Sequence, residues 1–554
     1  MKGGAVVSPS TLFDLSVVEP LLGGIGPAEM GAIMHAFTRG SPADRIAAVE
    51  AALHAGGTSW RKDVGHWVAG LVPVELLVPE IYRHWRPLVE DAMQFVFARL
   101  SDRRLAAKIV EQIELPRGTA SEVRLLRLIS RMPGLQKIGQ VVARNRSLAP
   151  SLRVALSELE NGLSDATADE IRAILVDRLG PLLETHAVEI QPAIFREGTA
   201  SAIVRFTWRR PDGDRERGVF KVLKPYVPAC FAEDLTLVEH LGEYLASRHR
   251  RYDFAIHDVR EMLGEVRLLL EHELDFPREQ ATLLAAPRTF RASIGIRVPR
   301  LIEPLSTPEI TAMTEEDGVK VTDAFPRSPI RRDRIAEQLI EALIAVPLFS
   351  REDPATFHAD PHAGNLLYDQ PNRELILIDW ALAESMSLEL RRHLVMLCLM
   401  MILRRPEGVR QAIHALSQVG PRRPQAHEEV IDRYVARFFD EFPADRSPGV
   451  LDAMLLMDDI ALAGVHFPAP LFIFRKIVFT LDGVLHDVVQ EGVRIDLVIA
   501  REFLTRYIAS LGVFHAPLGV KDLANVEWNA LLYPARSLGR TLRGNEKAGA
   551  TVRA

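Results

Sequence analysis

Residues Phe357–Glu384 read FHADPHAGNLLYDQPNRELILIDWALAE and set His358, Asp360, His362, Asn365 and Asp379 around a short loop that runs into a stretch of aliphatics. Two chemistries compete for these side chains. The alternation of His358, Asp360 and His362 as H-x-D-x-H can put imidazole and carboxylate on one side of an extended segment, as a metal-dependent hydrolase needs. That spacing is weakly specific, no second group of His and acidic ligands accompanies it, and it leaves Asn365 and Asp379 unexplained. The plain alternative for both histidines is to brace the loop by hydrogen bonds to backbone.

The second chemistry uses more of the stretch. Asp360 and Asn365 form D-x-x-x-x-N, and a short hairpin, LLY then ELILID, delivers Asp379 at its end. In phosphoryl transfer one aspartate orients the nucleophile or accepts its proton, an asparagine holds magnesium, and a second aspartate bridges that metal to the nucleotide phosphates. Magnesium needs few protein oxygens when phosphates supply the rest. Such a site also requires a lysine on a strand and a carboxylate on a helix. GVFKVLKP supplies Lys221 among apolar neighbours, and EHELDFPREQ offers Glu273, Asp275 and Glu279 as candidate partners. Pro277 must either kink a helix there or start a new one behind Asp275.

Working outward, apolar residues recur at spacings of three and four from about Ser10 to Ile129, as in EDAMQFVFARLSDRRLAAKIVEQI, which predicts helices with Trp60, Trp67 and Trp85 in core roles. TADEIRAILVDRLG predicts one more helix, capped by Thr167, favoured by Asp169 and Glu170 at the positive dipole end, and terminated by Gly180. The period then changes. IVRFTW and GVFKVL flank Pro211, Asp212 and Gly213 as an antiparallel hairpin. Two helical runs follow, then short strands at IRVPRL and EITAMT, and from Arg331 mostly helix. This order predicts an α+β, two-lobed enzyme with its cleft between a strand-rich and a helix-rich lobe. The expected divisions are a helical N-terminal region over 1–130, a helical extension over 131–190, a strand-rich N-lobe over 191–325, and a helical C-lobe with the catalytic and metal loops over 326–554.

Composition narrows the class. A chain of 554 residues with 48% hydrophobic and 25% charged residues is a folded multidomain protein. Net charge is −6 and mean hydropathy +0.05, so no global field favours nucleic acid as a partner. Cys230 and Cys398 are the two cysteines, which excludes a disulfide framework and a cysteine zinc site. The oiliest run, LVMLCLMMIL, is half a membrane span long and reads as a buried helix, with a peripheral membrane contact as the minor alternative. No transmembrane helix is expected, and the cytoplasm is the expected location.

These residues resemble the UbiB/AarF family of atypical protein-kinase-like enzymes, associated with ubiquinone and other isoprenoid-lipid metabolism. HADPHAGNLL is similar to that family's H-A-D-P-H-P-G-N block, FKVLKP to its lysine strand, ELDFPREQA to its E-L-D-Y-x-R-E-A helix, and GLQKIGQVVARNRSLAP to its K-x-G-Q segment. The resemblance runs from about Pro133 to Gly483. It implies a protein-kinase-like fold with ATP and Mg2+ as its ligands. In the implied roles Lys221 binds the phosphates, Glu279 pairs with Lys221, Asn365 and Asp379 hold the metal, and Asp360 is the catalytic-loop aspartate. Gly198, Thr199, Ala200 and Ser201 would form the nucleotide loop, Glu315 or Glu316 would lie near adenine, and Lys137, Gly139 and Gln140 would form a gate facing Glu273 and Asp275. The chain departs from the pattern at Trp380 and Ala381 after the metal aspartate, at Ile203 and Val204 after the nucleotide loop, and at Asn145. The implied function is an ATP-dependent, magnesium-requiring kinase or ATPase acting on, or coupled to, a small-molecule or isoprenoid-lipid pathway. The alternative is a nucleotide-binding pseudokinase that regulates a partner enzyme through residues 1–130.

Overall fold

The computed structural model describes residues 24–78, 80–116, 118–136, 166–198, 200–252, 263, 264, 267, 270–290, 295–325, 327–418, 426–443, 448–489 and 495–510. The chain divides into two compact units, Met1–Asp275 with Glu303–Ala312, and Phe276–Ile302 with Met313–Ala554.

In the first unit the helical run expected from about Ser10 forms helices from Pro27 on, including Arg86–Arg99, Asp102–Ile113 and Ser121–Ile129, while its start before residue 24 lies outside the described residues. The apolar stripe Leu105, Ala106, Ile109, Val110 and Ile113 is buried throughout, because residues three and four apart share one helix face. Leu237, Val238, Leu241 and Leu245 of the helix Val227–Ser247 belong to the same core as Phe97, Leu100, Leu105 and Leu128. The N-terminal helices therefore share their core with the helix that follows the lysine strand. Trp60, Trp67 and Trp85 pack partly buried against it. A polar clasp reinforces the contact: Gly134 N–H donates to Asp234 Oδ2 at 3.1 Å and Arg104 pairs with Asp234 Oδ1 at 2.7 Å. Burial pushes the Asp234 carboxyl above its ordinary pKa despite that arginine.

The helix predicted behind Thr167 spans Ala168–Thr185, and Thr167 with Glu170 closes a capping box at its start. It does not stop at Gly180. It continues through Pro181, because the fixed φ of proline is helical and its missing N–H removes only one bond near the C-terminal end. Strands β1 (Glu189–Glu197), β2 (Ser201–Arg209) and β3 (Arg215–Leu223) follow as an antiparallel meander in register from Ser201↔Leu223 to Arg209↔Arg215. Val204, Phe206, Trp208, Phe220 and Val222 are buried on one face of it, with the Phe206 and Phe220 rings stacked at 3.9 Å. The fourth strand of this sheet is β5 (Ile310–Thr314), beside β3.

The second unit holds β4 (Ile296–Arg297), β6 (Val319–Lys320), β7 (Ala355–His358), β8 (Leu366–Asp369), β9 (Glu374–Leu377) and β10 (Ala383–Met386). The strand expected in IRVPRL shortens to the two residues of β4. The expected LLY/ELILID hairpin is β8 and β9, paired from Leu366↔Leu377 to Asp369↔Glu374. Asp369 closes its turn by accepting from Asn372 N–H at 3.1 Å and Asn372 Nδ2 at 2.8 Å, which holds its carboxyl below the ordinary range. The helix Phe276–Phe290 begins one residue before Pro277, so this proline opens a helix, where its missing N–H has no partner to lose. The oily run lies in the helix Leu388–Ile402, with Leu394, Leu397, Cys398, Leu399 and Met401 buried. Among the described residues no helix is long and apolar enough to cross a membrane.

Candidate functional site

The loop after β7 is organised by His358. Its ring is fully buried, Nε2 lies 2.9 Å from Ile378 O, and Nδ1 accepts the Asp360 N–H at 3.3 Å. With Nδ1 an acceptor, Nε2 carries the proton and donates to the carbonyl. Burial holds the pKa of this imidazole below its ordinary value. His362 is used similarly: its Nδ1 accepts Gly364 N–H at 3.0 Å and caps the turn Ala363–Asn365. A Cβ at Gly364 would stand 2.7 Å from His362 Cε1, so a larger residue there would displace this ring. Both imidazoles thus brace backbone, and among the described residues no group of three or more His, Cys, Asp or Glu side chains could hold a metal ion. The hydrolase reading loses its ligands.

Asn365 joins the remaining pieces. Its Nδ2 donates to Asp360 O at 3.1 Å, and its own carbonyl accepts Ile378 N–H at 3.0 Å. The catalytic-loop candidate Asp360, Asn365 and the residue preceding Asp379 are therefore tied by one side-chain and one main-chain hydrogen bond. Asp379 itself is exposed and sits at φ 60°, a left-handed conformation that costs a non-glycine residue about 1–3 kcal/mol and clusters at functional sites. Trp380 holds the far side. It is fully buried, donates Nε1–H to Leu377 O at 2.9 Å, and meets the rings of His358 and Phe290 edge-on at 5.0 and 6.0 Å. Lys476, on the helix Ala469–Val488, places Nζ 4.0 Å from Asp360 Oδ1.

Glu279 is 1% exposed on the helix Phe276–Phe290. The neighbouring Arg278 donates to Ala383 O at 3.0 Å and pairs with Glu384 at 3.5 Å, which pins this helix to β10. Glu316 is engaged by Arg297 Nε at 2.7 Å and by Thr314 Oγ1 at 3.0 Å; burial pushes its carboxyl up against the pull of Arg297. Glu315 is half-buried.

In the first unit Lys221 is 6% exposed in the middle of β3, opposite Ile203. Gly198 N–H donates to Ser201 O at 2.7 Å and so closes the β1–β2 turn. Thr199 lies outside the described residues, and Ala200 O accepts Lys224 N–H at 3.0 Å. Lys224 is fully buried and paired with Glu197 Oε2 at 2.9 Å. Of the gate candidates, Glu273 is half-buried and Asp275 exposed, while Lys137, Gly139 and Gln140 lie outside the described residues.

Residues 167–413 match the family model described as the ABC1 atypical kinase-like domain. Over that segment the chain is similar to ABC1 atypical kinase-like domains. Curated relatives agree with this. The chain is 25% identical over 358 residues to the protein ACTIVITY OF BC1 COMPLEX KINASE 8, chloroplastic, of Arabidopsis thaliana, covering 63% of this chain and 46% of that one. It is 26% identical over 292 residues to the probable protein kinase UbiB of Xylella fastidiosa strain M23, covering 51% of this chain and 50% of that one. The chain thus spans about half the length of these relatives. The complex structure of Rv3197-erythromycin from Mycobacterium tuberculosis aligns with 64% of this chain and 87% of its own at 16% identity and a TM-score of 0.43.

The ABC1 kinase-like segment contains Gly198 to Ser201, Lys221, Glu279, Glu315, Glu316, Asp360, Asn365 and Asp379. Lys476 lies beyond it, and although the resemblance extends over it to Gly483, no role is implied for it there. Lys224 was equally hidden: a lysine before proline reads as surface until burial and the Glu197 contact are known.

Proposed function

We propose that the chain is an ATP-dependent, magnesium-requiring atypical kinase or ATPase of UbiB type, with a two-lobed kinase-like arrangement, coupled to a small-molecule or isoprenoid-lipid pathway. The observation that supports this is the pair of hydrogen bonds that joins Asp360, Asn365 and Ile378, one from the Asn365 side chain to Asp360 O and one from Ile378 N–H to Asn365 O, which ties the residue before Asp379 to the loop that holds Asp360. The donor set fits magnesium. With Nδ2 turned to Asp360 O, Asn365 has Oδ1 as its donor atom, and Asp379 adds an exposed carboxylate, both hard oxygens. Bound magnesium would neutralise charge on the phosphates. In this reading Asp360 orients the attacking hydroxyl or water and accepts its proton, with the Lys476 ammonium 4.0 Å from its carboxylate. Lys221 holds the phosphates, with Glu279 as its carboxylate partner.

The test is phosphate release from MgATP by the purified chain beside Asp379→Asn, and nucleotide binding by Lys221→Ala. Turnover lost in the first and binding weakened in the second is the expected result; unchanged binding and turnover in both sinks the assignment. One observation favours the second reading, a nucleotide-binding pseudokinase. Trp380 is locked into the core by its ring contacts and indole hydrogen bond, where the family pattern carries phenylalanine before a flexible glycine. ATP that raises the melting temperature without phosphate release would favour that reading.

A further inference from the structure

The β1–β2–β3 meander has a second face that carries two arginines besides Lys221. Arg196 pairs with Ile203 and Ile203 with Lys221, so these residues form one cross-strand row with side chains on one side. Arg205, two residues along β2 from Ile203, shares that side. The opposite face is the buried one with Val204, Phe206 and Phe220. Between Ile194 and Arg196 the β1 register shifts by one residue. Such a bulge lets Phe195 and Arg196 turn together toward the cationic face, which strict alternation forbids. The Arg205 guanidinium carbon stands 3.5 Å from the Phe195 ring centroid and that of Arg196 5.3 Å from the same centroid. Phe195 and Arg196 are exposed, and Arg205 is half-buried. Partial desolvation and the neighbouring Arg205 both pull the Arg196 pKa down. Two like charges held on one ring repel, and a doubly charged anion placed against them relieves that repulsion.

We propose that Arg196 and Arg205, oriented on Phe195, form an anion subsite for a diphosphate group. Guanidinium forks match phosphate oxygens in pairs, and the row of Arg196 ends at Lys221. The arginine pair stands without the proposed function, whereas its joining to Lys221 rests on that reading. Two sources carry the shared chemistry: the phosphate tail of a nucleotide and the head of an isoprenoid diphosphate.

The experiment is calorimetric titration of the full chain with inorganic pyrophosphate, MgATP and geranyl diphosphate, beside Arg196→Gln/Arg205→Gln and Arg196→Lys/Arg205→Lys, with thermal unfolding as the check on folding. Pyrophosphate affinity is expected to fall at least tenfold in the Gln pair, to recover only partly in the Lys pair, and to weaken with salt in the wild type. If MgATP falls in parallel, the nucleotide supplies the anion; if geranyl diphosphate falls while MgATP is unchanged, the second ligand does. Wild-type protein that binds no pyrophosphate, or a folded Gln pair that binds it equally well, overturns the proposal. Lys221→Ala tests the nucleotide reading separately: weakened MgATP with pyrophosphate retained keeps the arginine site, and unchanged MgATP there sinks only that reading.

Discussion

His358→Gln tests whether a neutral, buried imidazole joins the loop after β7 to Ile378, between the end of β9 and Asp379. In the folded chain the ring is fully buried, and burial keeps its pKa below the ordinary value; in the unfolded chain it titrates near about 6.5. As pH falls, the unfolded state takes up the proton first. The stability this ring contributes is therefore present in full above about pH 6.5 and is lost as pH drops toward the folded-state value. One such ring costs up to about 1.4 kcal/mol for each pH unit below that point, which is about 1.2 kcal/mol between pH 7 and pH 5.5. His393, also depressed by burial, changes in the same direction but is common to both proteins. Urea unfolding of wild type and His358→Gln at both pH values isolates the difference. The variant should start about 1–3 kcal/mol less stable at pH 7, because one of the two backbone groups loses its partner, and it should then lose less on acidification. Equal losses of stability on acidification in the two proteins would refute the neutral, buried histidine.

Trp380→Ala should destabilise by about 3–5 kcal/mol, since a fully buried indole and its bond to Leu377 O are removed together; a change below about 1 kcal/mol by calorimetry would place this side chain in a mobile role. Asp234→Ala leaves Arg104, 2.7 Å away in the native pair, and the Gly134 N–H without that carboxylate. A loss of about 3–5 kcal/mol is expected, with protease cleavage appearing first in the helices of residues 27–129; unchanged cleavage rates would mean that the clasp does not hold those helices. Lys476→Ala should lower phosphate release from MgATP by roughly a hundredfold with nucleotide affinity unchanged, and a matching loss of affinity would assign Lys476 to binding instead.

Much of this was readable from local pattern. The β8–β9 hairpin, the capping box at Thr167, the helix opened by Pro277 and the motif block from His358 to Asp379 depend on neighbours a few residues away, and so spacing and turn chemistry reveal them. Gly180 misled because a glycine's terminating role depends on whether the next turn still finds helical geometry, and Pro181 provides it. Contacts across long sequence separations are a different matter. That Lys476 stands beside Asp360, that the N-terminal helices share a core with Val227–Ser247, and that Arg391 is buried and donates to Ser350 O and Glu352 O follow from how surfaces pack, which no spacing encodes. The same holds for charge: Lys221 and Lys224 look alike in FKVLKP, and only packing sets Lys224 against the Glu197 carboxylate. Local sequence decides which conformations a segment prefers, while the environment that sets a pKa or completes a site is assembled from distant segments, and it exists only once they are packed.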